Sequence, residues 1–217
     1  MVVNYPVSSL CFGESMPADT QHADLSSAKP RRDSAASKGR LLMAATNEFA
    51  ERGIAGARVD RIAAAAQANK RLIYDYFGDK DGLFDAVMDA LFERIIDAVA
   101  IDSTDLPGYA GRLFTYAVKH PELLRLTTWA RLEGRLSPTA RDRSARSYRH
   151  RLETIETAQR SGHIPSTFTP AQLLTLIESV SVGWITTTSV ALGDGDPAKN
   201  HEAHHDAIVE SVRRLLA

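Results

Sequence analysis

Residues 68–80, ANKRLIYDYFGDK, contain a segment that can be helical only when braced by something larger. Asn69 is a good N-cap and Gly78 a stop, and the stretch between them, 70–77, is too short to hold a helix alone in water. Ile73 and Phe77 are spaced i,i+4, so they share a face that needs a core to cover it. Lys70 and Arg71 stand at the leading end, where they oppose the helix dipole. A chain carrying this segment must supply neighbouring helices to hold it and a reason for its cations.

The rest of the sequence supplies helices. Leu42, Ala45 and Phe49 recur at helical spacing, and Gly53 sits where a left-handed C-cap belongs. Val59, Ile62, Ala63 and Ala66 share one face of a second short helix, 59–66. Asp79 or Asp81 caps a long helix running through Leu83, Phe84, Val87, Leu91 and Ile95 to about Val99. Further helices are expected over 108–119, 121–133, 138–161, 170–192 and 198–216. The Thr169–Gln172 spacing suits a capping box that opens the fourth of these. No alternating strand pattern occurs, so the expected fold is all-α. Residues 1–33, rich in Ser, Pro, Asp and Gly, read as a disordered tail. Residues 34–80 form a three-helix unit, and 81–217 a larger helical domain.

Charge is distributed unevenly. The chain's 217 residues carry a net charge of −1, which points to no global attraction to nucleic acid or membrane. Yet residues 29–80 hold eleven Lys/Arg against six acids, a local excess of the kind that meets a phosphate backbone. Cys11 is the only cysteine, which excludes an intrachain disulfide and a multi-thiolate zinc site. The N-terminal residues make a poor signal peptide, and the most apolar window, 173–192, is interrupted by Glu178 and by Ser and Thr. A cytoplasmic protein without membrane association is expected.

Helices 59–66 and 70–77, joined by a three-residue turn, have helix-turn-helix proportions. With Ile73 and Phe77 turned inward, Lys70, Arg71, Leu72, Tyr74 and Asp75 project outward or on the flanks, with Tyr76 on the other flank. Arg can fork onto guanine, Leu72 can pack on a thymine methyl, and tyrosine hydroxyls can donate to phosphate. Arg58, at the start of the preceding helix, is placed to meet phosphate as well.

The run LLMAATNEFAERGIAGARVDRIAAAAQANKRLIYDYFGDKDGLFDAV resembles the N-terminal domain of the TetR family of bacterial transcriptional regulators. FAERG at the end of the first helix, Arg61-Ile62-Ala63 and IYDYFGDKDGL carry the likeness over about residues 38–90. The resemblance implies a homodimeric repressor on double-stranded operator DNA, released by a small-molecule effector bound in a variable C-terminal domain. It places the recognition contacts on Lys70, Arg71, Leu72, Tyr74 and Tyr76, and a phosphate contact on Lys80. Two positions depart from the family pattern. Gln67 stands in the turn where glycine is usual, which implies a non-glycine residue at positive φ. Ala57-Arg58 replaces the small hydroxyl residues that often open the second helix.

Beyond residue 100 the likeness is weak. Phe114, Trp129, Tyr148, Ile177 and Trp184 are expected to line an effector pocket, with a filled core as the competing reading for each. Ile208, Val212 and Leu215 form one apolar stripe on the last helix and are expected at a dimer interface. His201, His204 and His205 lie beside Glu202 and Asp206, but no second ligand cluster accompanies them. No metal is assigned, and they read as a solvated or interface-edge turn. No phosphate loop, nucleophile elbow or helical H-E-x-x-H appears, so neither catalysis nor a cofactor is expected. The rival reading is a helical interaction or architectural protein without sequence-specific DNA binding.

Overall fold

The computed structural model describes residues 29–134, 138–188 and 200–217, and every regular element among them is helical. Helix α1 (Lys29–Gly56) begins inside the stretch expected to be a tail; residues 1–28 lie outside the described ones. It is followed by α2 (Val59–Ala65), α3 (Arg71–Phe77) and α4 (Lys80–Ala98). Then come α5 (Leu106–Lys119), α6 (Pro121–Glu133), α7 (Pro138–Arg160), α8 (Pro170–Gly183) and α9 (His201–Leu215). The helix expected to run to Leu192 ends earlier: a π-helical turn, Trp184–Thr188, follows α8, and residues 189–199 lie outside the described ones.

The caps explain most of the boundaries. Asn69 Oδ1 accepts the Arg71 N–H at 2.8 Å, and Asp79 Oδ1 accepts the Gly82 N–H at 2.7 Å. Thr169 and Gln172 form the expected reciprocal capping box. Gly53 adopts φ 65° and ψ 175°, so the left-handed residue is where the sequence puts it, although helical turns resume as far as Gly56.

The α2–α3 turn is closed by two backbone bonds, Gln67 N–H to Ala64 O at 3.1 Å and Ala68 N–H to Ala63 O at 3.0 Å. This pair is the Schellman closure, which demands a left-handed residue between its arms. Gln67 fills that place at φ 50°.

Two apolar cores result. The first joins α1 to α4 around Leu41, Phe49, Ile62, Ile73 and Phe84, with Phe49 and Phe84 meeting edge to face at 5.2 Å. Helix α6 belongs to this core through Leu123, Leu126 and Ala130, so the C-terminal half and the N-terminal half share one packed unit. The second core gathers Tyr109, Phe114, Ile155, Leu174 and Ile177 from α5, α7 and α8 with Ile208 and Val212 from α9.

That arrangement corrects the expected dimer stripe at Ile208 and Val212, two of its three residues. Ile208 and Val212 are completely buried within one protomer, against α5 and α8, and Leu215 is half-buried. A side chain already enclosed by its own chain has no surface left for a partner.

Candidate nucleic-acid interface and effector cavity

Three helix starts converge on the basic side of the first core. Lys70, just before α3, places Nζ 2.7 Å from Asp60 Oδ1 in the first turn of α2. Lys80 Nζ, at the start of α4, donates to the Ala57 carbonyl at 3.4 Å, where α1 gives way to α2. Arg58 follows directly, with its side chain exposed and its backbone N–H donating to Glu48 Oε1 at 3.0 Å. Arg58, Lys70 and Lys80 thus share one region despite their separation in sequence. The Asp60 hydrogen bond raises the Lys70 pKa, so this cation stays charged at any physiological pH.

Helix α3 presents its outer face as expected. The Arg71 side chain is 84% exposed and only loosely tied, with Nε 3.7 Å from Asp75 Oδ2. Tyr74 is 46% exposed. Leu72 and Tyr76 are different: both are half-buried and rest on the first core. The Tyr76 hydroxyl donates to Ser34 Oγ at 3.1 Å, which ties α3 to the leading part of α1. Of the seven residues expected at DNA, Arg58, Lys70, Arg71 and Tyr74 are open, while Leu72, Tyr76 and Lys80 are partly committed to packing.

A bracket behind the surface holds α2 in place. Glu48 on α1 accepts from Arg61 Nε at 2.8 Å and from Arg61 Nη2, and the latter nitrogen also donates to the Gly56 carbonyl at 2.9 Å. Burial pushes the Glu48 carboxyl up, but the Arg61 hydrogen bond, the Arg58 amide and the charges of Arg61 and Arg52 outweigh it. Its pKa therefore ends below the ordinary value of 4.5. Sequence reasoning missed this pair. The signal available was an acid on α1 facing a base one helix later, which is ambiguous without the crossing geometry.

In the other half, a cavity of about 450 Å³ opens between α4, α5, α6, α7 and α8. Its apolar wall includes Phe92, Ile95, Val99, Leu113 and Leu123; its polar wall includes Ser147, Arg151, Thr175, Glu178 and Ser179. The volume suits a drug-sized molecule. None of the five expected wall residues lines it. Phe114 and Ile177 are fully buried in the second core, and Tyr148 lies under the Arg151 guanidinium, 5.7 Å from its ring centre. Trp184 stacks on His204 with ring centres 4.3 Å apart. Trp129 covers Gly53 on α1. The aromatic rings that do line the cavity are those of Phe92 and Tyr109.

The histidines of α9 are not a solvated turn. His201 stacks on Phe114 at 5.2 Å, His204 on Trp184, and His205 lies directly against Gly111 on α5. Among the described residues, no group of three or more His, Cys, Asp or Glu could hold a metal.

Residues 41–87 match the model for bacterial regulatory proteins of the tetR family, and residues 105–214 that for the tetracyclin repressor-like C-terminal domain. The chain belongs to the TetR family. Like its relatives, it is a helix-turn-helix DNA-binding transcriptional regulator. It is 34% identical over 190 residues to the HTH-type transcriptional repressor SCO4008 of Streptomyces coelicolor, covering 85% of this chain and 97% of that protein. Among solved structures, SCO4942 of the same organism, assigned as a transcriptional regulator, superposes with a TM-score of 0.72 at 35% identity. That match covers 82% of this chain and 97% of the other. A TetR family regulator from Marinobacter aquaeolei VT8 shares the fold at a TM-score of 0.61 and 23% identity, over 83% and 97% of the two chains. TetR regulators bind operators, usually as dimers that respond to small-molecule effectors. No described helix is long and apolar enough to cross a membrane.

Proposed function

We propose that this TetR regulator represses transcription from the cytoplasm as a homodimer, holding an inverted-repeat operator with two copies of α3 and releasing it when a small molecule fills the cavity. The observation that supports operator binding is the exposed set Arg58, Lys70, Arg71 and Tyr74, carried on helices that the first core holds rigid. Arg71 reads a base edge, because its guanidinium is largely exposed and held only loosely by Asp75; Arg58 and Lys80 meet phosphate; the Tyr74 hydroxyl donates to phosphate. Lys70 exchanges Asp60 for phosphate as the complex forms. Leu72 and Tyr76 act mainly by setting the angle of α3, with only their outer edges available to DNA.

The dimer contact falls on the outer face of α9, where Ala203, Ala207 and Ser211 are exposed, rather than on the buried Ile208–Val212 stripe. An isologous contact there would present two heads about 34–36 Å apart, one helical turn of DNA. The regulator needs no catalytic step and no cofactor.

Electrophoretic shift with the DNA upstream of its own gene tests this reading. A complex that withstands non-specific competitor and weakens steeply with salt supports it. A complex formed equally on any DNA, or none at all, would reject it in favour of an architectural or interaction role.

A further inference from the structure

The match to the N-terminal family begins at residue 41, whereas α1 begins at Lys29, and the turns over 34–40 make contacts of their own. Ser34 and Lys38 continue, at helical spacing, the face of α1 that carries the buried Leu41 and Ala45. That face meets α3 and the end of α2 through polar groups. Ser34 Oγ accepts the Tyr76 hydroxyl at 3.1 Å. The Lys38 ammonium stands over the Phe77 ring, 5.6 Å from its centre. Arg40 Nε donates to the Ala66 carbonyl at 3.2 Å, and Arg40 Nη2 donates to Ser37 Oγ at 3.1 Å, which holds the guanidinium in place.

These contacts answer a need of the two short helices. α2 and α3 have seven residues each, and neither carries a basic residue in its last turn. Helices of that length depend on their neighbours, and their C-terminal ends favour a nearby cation. α1 lends one to each: Arg40 at Ala66, the C-cap of α2, and Lys38 at Phe77, the closing residue of α3. The partners are protein groups at the trailing ends of α2 and α3. Phe77 lies six residues beyond Arg71, about 9 Å along the helix axis. We infer that Ser34, Lys38 and Arg40 are positioning residues for operator recognition: without touching DNA, the turns of α1 ahead of residue 41 set the angle at which α3 meets the groove. This role presupposes the operator reading proposed for α3 and adds the residues that aim it.

The test is fluorescence anisotropy of the full-length protein, across salt concentrations, on the DNA upstream of its own gene and on a scrambled duplex of equal length. Ser34→Ala, Lys38→Met and Arg40→Met should each weaken binding to the upstream DNA by about threefold to tenfold. Binding to the scrambled duplex should stay within about twofold, and the slope of log affinity against log salt should match that of the wild type. Ser34→Thr and Lys38→Arg should bind as the wild type does, which separates aiming from loss of the fold. On a Tyr76→Phe background, Ser34→Ala should cost nothing further. A slope reduced by about one in Lys38→Met or Arg40→Met, with both duplexes weakened alike, would make that residue a phosphate contact and overturn the inference. Wild-type affinity in all three variants would overturn it as well, and so would a loss from Ser34→Ala that persists without the Tyr76 hydroxyl. A wild-type protein that fails to distinguish the two duplexes would reject the operator reading itself, and the aiming role with it, before any variant is compared.

Discussion

The indole of Trp129 lies flat on Gly53: a Cβ built on that glycine would come within 3.2–3.3 Å of Cδ2, Cε2 and Cε3 of the ring. Trp129 belongs to α6, whose Leu123, Leu124 and Thr127 line the cavity; Gly53 is the break in α1 that directs the chain into α2. One helix therefore touches the cavity and the base of the helix-turn-helix unit within six residues. Gly53→Ala should destabilise the protein by about 1–3 kcal/mol, since the new methyl meets both the ring and a left-handed backbone. Denaturant melts check the size. An unchanged midpoint would mean that the ring moves aside freely.

The same backbone logic reverses at the α2–α3 turn. Gln67 occupies the left-handed seat of the Schellman closure with an exposed side chain. Gln67→Gly should stabilise by about 1 kcal/mol, because glycine removes the Cβ clash and no packing is lost. Thermal denaturation resolves a shift of that size, and a lower melting temperature would show that the seat carries no strain.

Glu48 gives the acid limb of stability its shape. Its folded-state pKa lies below the ordinary value of 4.5, so its contribution is complete above about pH 5 and disappears as pH falls through the lower folded value. Glu48→Gln should cost about 1–3 kcal/mol near neutrality, where the charged hydrogen bonds to Arg61 are lost. The deficit should shrink toward zero in acid. Urea midpoints for both proteins across the acid range test this; a deficit independent of pH would assign the loss to packing.

Tyr74→Phe removes only a hydroxyl from an exposed ring. Fluorescence anisotropy should show operator affinity falling by about 0.5–1.5 kcal/mol, as for one neutral hydrogen bond, with thermal stability unchanged. Equal affinities would take Tyr74 off the list of phosphate contacts.

How far these features could be read beforehand depended on whether the controlling interaction was local. Asn69, Asp79, Thr169 with Gln172, and Gly53 act within four residues, so α3, α4, α8 and the α1 break were legible. The positive φ of Gln67 was legible only through the family resemblance, which has glycine at that turn position. Cavity walls are not local. Trp129 and Trp184 are bulky enough to suggest a lining, yet their destinations were set by partners on other helices, Gly53 and His204. The usable signal was quieter: Thr175, Glu178, Ser179 and Val182 repeat at helical spacing through an otherwise apolar segment, and Ser144, Ser147 and Arg151 do so on α7. The Ile208–Val212 stripe shows a related limit, since a buried face looks the same whether its cover is α5 or another protomer.

The proposed function depends on α3 reading sequence through an exposed Arg71 on a rigid mount. Binding of wild type and Arg71→Ala to the operator and to single-base variants, titrated across salt concentrations, tests it most directly. The wild type should lose affinity steeply with salt, and Arg71→Ala should give up about 1–3 kcal/mol of discrimination at one base pair per half-site. Equal weakening on every sequence, with no position relaxed, would contradict it.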